Sequence, residues 1–343
     1  MKKLIFAALA IAAMAACTKS NVQFDQPGEI AFQPVAQKAT KATFAGTAYP
    51  QDSTFNVWAW WGDENAGTTD ASSFNTIYIN NQTFERRDYV NWGGSEKPYY
   101  WPTTGSLFFA GYSPASIATQ AGFGYSHGEK KFVVTGYEQS SDIKYTTDLM
   151  WFHLTDVSYD RTTESVPVKF HHALSWLTFR FSLKDNFTPQ DWTVNSVKLI
   201  GIKTKGNFEA ERTGSADVQG TAKWTEQSEP KEVQVYNNDA GHKVTLVTTN
   251  YSPLVEDASV LENTRNGVVV IPQPCQSALL EIKFQQVAPS GTIVSQTKTL
   301  DLGTEWLPGK HYIYTITFGA EEILIAPTVV DWTPVNDLAV PVK

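Results

Sequence analysis

The chain has 343 residues, a formal net charge of −8 and only two cysteines. An acidic surface repels nucleic acid and anionic lipid, so neither is an expected partner. Two thiols make no disulfide framework, so stability must come from apolar cores, for which 11 Trp, 14 Tyr and 19 Phe are available. The length suggests two domains at about 100–200 residues each.

The chain opens Met1-Lys2-Lys3, followed by an apolar run from Leu4 to Ala16 and then Cys17. A short basic stretch, a brief apolar run and small residues before a cut describe a secretory signal peptide, here residues 1–16. The run is too short to span a bilayer, which takes about 20 apolar residues. Ala15-Ala16-Cys17 resembles a bacterial lipobox, in which the cysteine is acylated and becomes the new N-terminus. The competing reading is an ordinary signal peptide cut near Ala15, with Cys17 incidental. Residues 17–41 read as a lipidated linker or propeptide without sustained periodicity, ending Gln37-Lys38-Ala39-Thr40-Lys41.

Beyond this linker, short period-2 segments dominate and no strong helix is visible. Strands are expected at 55–61, 75–79, 106–112, 131–134, 149–154, 194–202, 243–248, 267–271 and 292–299. The clearest alternations are Leu177-Phe179-Phe181-Leu183, with Thr178, Arg180 and Ser182 between them toward water, Leu280-Ile282-Phe284 and Tyr312-Tyr314-Ile316-Phe318. One short helical turn is expected near Ala115–Gln120. Many short strands between turn signals indicate an all-β chain of antiparallel sandwiches. The polar stretch 160–165 divides two aromatic halves, giving units at 42–165 and 166–343.

Little here suggests chemistry. None of the six histidines has a metal-ligand spacing, and His171-His172 on a strand would place one ring inside and one in water. No phosphate loop, nucleophile elbow or dinucleotide fingerprint occurs, and two S-x-x-K spacings lack a helical context. No cofactor, metal or catalytic residue is expected. Cys275 reads as a buried inert thiol. Trp58-Trp60-Trp61 and Tyr99-Tyr100-Trp101 are either core residues or sugar-stacking platforms; Trp58 and Trp60 share one strand face, which favours the core.

Four stretches in order resemble the fimbrillins of Bacteroidetes, the FimA-like and Mfa-like pilins of type V pili. They are Lys41-Ala42-Thr43-Phe44 leading to Phe55–Trp60; Tyr100-Trp101-Pro102 with Leu107–Pro114; Val168–Leu174; and Trp306–Tyr314 before Val330-Asp331-Trp332. The resemblance implies two tandem transthyretin-like antiparallel β-sandwich domains and a structural pilus subunit, not an enzyme. It further implies a lipoprotein precursor at the outer membrane and cell surface, contributing to adhesion. Processing at a basic residue, here Lys41 or less favourably Lys38, would precede assembly with other pilin subunits into a head-to-tail polymer by donor-strand exchange. The C-terminal segment alternates Leu338, Val340 and Val342 with Ala339, Pro341 and Lys343, and is the candidate donor strand. The alternative is a monomeric surface lipoprotein binding glycans through exposed aromatic residues.

Overall fold

The alternation carries through into strands almost everywhere. A computed structural model describes residues 28–36, 49, 53–63, 74–88, 91–119, 122–126, 131–140, 146–159, 165–184, 192–211, 222–244, 252–253, 268–288, 290–303, 305–319 and 323–331. In the first half these form β1 (Phe32–Ala36), β2 (Phe55–Gly62), β3 (Thr76–Arg86), β4 (Trp92–Gly94) and β5 (Ser106–Ser113). A 3-10 turn, Ala115–Thr119, stands where the short helical turn was expected. Then follow β6 (Gly122–Ser126), β7 (Lys131–Glu138), β8 (Met150–Val157) and β9 (Val166–His172). The second half contributes β10 (Ser175–Leu183), β11 (Trp192–Glu211), β12 (Ala222–Val244), β13 (Ser252–Pro253), β14 (Val268–Val270), β15 (Leu279–Val287), β16 (Ile293–Asp301), β17 (Lys310–Phe318) and β18 (Ile323–Asp331).

The first sheet closes on itself in the order β1-β4-β3-β2-β5-β8-β9. A second sheet runs β16-β15-β11-β7-β6, with β12 along the other edge of β11, and a third runs β13-β10-β17-β18 with β14 also on β10. Pairing therefore runs across residue 165: β9 belongs to the first sheet, while β6 and β7 join the sheet of β11.

Three cores result. Phe55, Val57 and Ala59 of β2 point into the closed sheet with Phe84, Phe109 and Phe152. The opposite face of the same strand, Trp58 and Trp60, packs outward against Phe132 and Val134 of β7 and Phe208 of β11. β2 is consequently buried on both faces, as a strand sandwiched between two apolar layers must be. The third core lies between the halves of β10, β11, β15 and β17.

β11 is 20 residues long and serves two of these cores, pairing with β15 over its first half and β7 over its second. The change of partner needs a local offset. On the opposite edge, facing β12, the register shifts between Leu199 and Ile202, where Gly201 has φ +74° and a Cβ would stand 2.9 Å from the Ser277 carbonyl oxygen. A bulge of this kind re-aims the strand, and glycine alone adopts that geometry without strain.

Three expectations need correction. The linker 17–41 contains a strand: Phe32–Ala36 is β1, and Ile30 and Phe32 are fully buried. Its period is only three inward residues long and includes Pro34, too short to stand out. His171 and His172 are both buried, not one in and one out. The His171 ring lies 5.1 Å from that of Trp151, and His172 Nδ1 lies 2.6 Å from Asp148 Oδ2, so both faces of β9 are covered at this end. Thr178, expected to face water, is buried and sits 2.8 Å from His311 Nε2.

His311 also stacks on Trp176, with ring centroids 3.5 Å apart. Burial, aided by the Arg180 charge, pushes its pKa down to about 3. The folded value is below the unfolded one, so the unfolded chain takes up the proton first as pH falls through about 6.5. Stability should thus decline from pH 6.5 toward 3, by about 2–3 kcal/mol between pH 7 and 4.5 from this group. Urea midpoints at both pH values should converge in His311→Asn. An undiminished pH slope in that variant would place the acid sensitivity elsewhere.

Candidate assembly site at the first strand

β1 is the one strand that closes the first sheet, and it does so from an unusual position in the sequence. It lies parallel to β9, with Phe32 opposite Val166 and Ala36 opposite Phe170. The Val166 N–H donates to the Ala31 carbonyl at 2.8 Å. On its other side Phe32 faces Trp92 of β4. Residues ahead of the strand are held by the Tyr99–Trp101 segment: the Ile30 N–H donates to the Tyr99 carbonyl at 2.6 Å, and the Trp101 N–H to the Gly28 carbonyl at 3.0 Å. Without residues 28–36 the sheet would have two open edges, at β4 and β9.

The inward row of this segment is Ile30, Phe32 and Pro34, all buried, while Glu29 and Gln33 are exposed. Phe32 fills an aromatic pocket. Its ring centroid lies 4.9 Å from that of Phe84, 5.2 Å from Phe109, 5.8 Å from Phe55 and 6.3 Å from Phe152. Most of these contacts are edge-to-face, the arrangement that aromatic quadrupoles favour. Sequence reading missed this site. A signal was present in Ile30, Phe32 and Pro34 at alternate positions, but it sat in a stretch dominated by Gln, Lys, Thr and Ala.

The other expected site residues, Cys17, Lys38, Lys41, Leu338, Val340 and Val342, lie outside the described residues. Among the described residues, no group of three His, Cys, Asp or Glu side chains could hold a metal ion. Cys275 is buried and its pKa is pushed up to about 12, chiefly by burial, which leaves it a poor nucleophile. Trp58, Trp60 and Trp101 are core residues; of the aromatic clusters only Tyr100 is largely exposed, at 53%.

A fimbrillin-like family model matches residues 40–332, most of the chain. The chain belongs to the fimbrillin-like family. Its members are structural and adhesion proteins of cell-surface fimbriae, not enzymes. No curated protein matches the sequence. Solved structures share the fold of this fimbrillin-like chain. A fimbrial protein from Bacteroides vulgatus aligns at 14% identity and TM-score 0.59, covering 88% of this chain and 99% of that one. A protein ascribed to cell adhesion from Bacteroides uniformis aligns at 16% identity and TM-score 0.51, covering 89% and 100%. No helix among the described residues is long and apolar enough to cross a membrane.

Proposed function

We propose that this fimbrillin-like chain is a pilus subunit whose first strand is a removable plug. It is exported as a lipoprotein through Cys17 to the outer membrane and then cut after Lys41, or less favourably Lys38. The observation that carries this reading is the placement of β1. Lys38 and Lys41 follow Ala36, the last residue of β1, by two and five positions. A cut at either one leaves the strand that closes the sheet attached only by non-covalent contacts. Its departure opens an apolar groove with unpaired backbone groups on β9, a template for an added strand. An extended segment of a neighbouring subunit then completes the sheet, and the C-terminal segment with Leu338, Val340 and Val342 is the part this chain donates in turn. Unlike surfaces meeting head to tail produce a filament. We further propose two tandem transthyretin-like sandwiches, one built on the closed sheet and one on the third, both served by β11.

The glycan-binding alternative draws little from the structure, because three of the tryptophans in its aromatic clusters are in the cores.

Mild trypsin treatment of the precursor should give a stable fragment beginning at Ala42. Fimbriae purified from cells should contain the chain from Ala42 onward and lack residues 28–36. Deleting residues 335–343 should leave the folded chain's melting temperature nearly unchanged and remove it from fimbriae. Finding residues 28–36 in assembled fimbriae would sink the reading. For the anchor, labelled palmitate should enter the wild type and not Cys17→Ala; equal labelling would exclude acylation of Cys17.

A further inference from the structure

Resting on that strand-exchange reading, we infer that the groove under β1 requires an aromatic anchor from the incoming strand. Its donor is therefore a different subunit and not a second copy of this chain. Phe32 is fully buried and ringed by Phe55, Phe84, Phe109 and Phe152. Such a cavity is shaped to one phenyl ring, and a smaller group leaves a void whose lining loses its contacts outright. The flanking inward places, Ile30 and Pro34, set the spacing i, i+2, i+4.

The chain's own tail has that spacing in Leu338, Val340 and Val342, but no aromatic residue at any inward place. Whichever of the three enters the Phe32 pocket, an aliphatic side chain replaces a ring. Trp332 is the one aromatic residue after β18; in the sequence it directly follows Asp331, the last residue of that strand, and precedes Leu338 by six positions.

Backbone parity gives a second, independent count. The Ala31 carbonyl faces β9, whereas the Ile30 N–H faces Tyr99. Odd-numbered residues of this segment thus turn their backbone groups to β9 and even-numbered ones turn away. The native proline, Pro34, is even, and its missing N–H points away from the continuous ladder. If Leu338, Val340 and Val342 face inward, Pro341 takes an odd place in every register that keeps the native direction. It then faces β9 with no N–H to donate. The self-donor loses both a ring and a ladder bond, which a strand bearing Phe at the centre and proline only at inward places keeps.

The test uses the full chain cut after Lys41, in the presence of excess synthetic peptide, with mass spectrometry identifying the peptide retained and competition giving relative affinities. A peptide of residues 28–36 should rebind. Its Phe32→Val form should bind at least ~10-fold more weakly, and the peptide 335–343 weaker again. Introducing Val340→Phe into the tail peptide should recover at least ~10-fold. A wild-type tail that matches the 28–36 peptide, or a Val340→Phe tail with no gain, overturns the inference and leaves strand exchange intact. If the 28–36 peptide itself does not rebind, strand exchange fails and this inference falls with it. As a check on whole chains, cut wild-type protein alone should not polymerise, whereas cut Val340→Phe protein should; filaments from the wild type alone would contradict the proposal.

Discussion

Phe32→Ala in the uncut chain should lower stability by about 3–5 kcal/mol, the usual cost of emptying a well-packed aromatic site. The ring is fully buried, and its neighbours Phe84 and Phe109 are themselves 0% exposed core residues on separate strands. They cannot collapse into the void without moving the sheet they belong to, so the loss should fall near the upper end. Gln33→Ala, one residue on, removes only an exposed side chain and should stay within about 0.5 kcal/mol. Urea unfolding of the two variants beside the wild type checks this. A small loss for Phe32→Ala would mean that β1 contributes little to the uncut fold.

The second large effect is expected at Phe179→Ala, again about 3–5 kcal/mol. Phe179 is 2% exposed and stacks on Tyr314 with centroids 5.6 Å apart, across the parallel pair formed by β10 and β17. Its neighbour on the opposite face is not neutral. Thr178→Ala removes the hydroxyl bonded to the buried His311 and should cost about 1–2 kcal/mol, because it strands a polar atom away from water. Thermal and urea melts should rank wild type, Thr178→Ala, Phe179→Ala in falling order. Equal losses would mean that the outer face of β10 is as tightly packed as the inner one.

These residues show what a sequence can reveal and what it cannot. Leu177, Phe179, Phe181 and Leu183 announce an inward face by alternation, and all four are in the third core. The partners between them, Thr178 and Ser182, look like surface residues, yet they are buried. The reason is non-local: β17 places His311 against Thr178 and Thr317 against Ser182, pairs more than 130 residues apart in sequence. β12 is hidden for a related reason. Its alternation is interrupted by Glu226 and Glu229 at positive φ and by Pro230, and its strand character comes from β11, which it follows over its whole length. β18 went unnoticed as well; most of it is exposed, and pairing with β17 is what makes it a strand. β1 is the case that matters most. Its three inward residues gain their meaning only from the aromatic pocket assembled by β2, β3, β5 and β8, of which only β2 is next to it in chain order. The motif order that resembled the fimbrillins, by contrast, was local and legible, and the family match over residues 40–332 agrees with it.

The account stands on β1 being the strand that leaves and is replaced. Amide hydrogen exchange on β9 reads this directly, because the Val166 N–H is donated to Ala31 and the ladder continues to Phe170. Protection of the Val166, Val168 and Phe170 amides should be high in the uncut precursor, should fall once the fragment ending at Lys41 has been cut and separated, and should return in assembled fimbriae that lack residues 28–36. Protection that stays unchanged after β1 has gone, or that fails to return on assembly, would contradict the account.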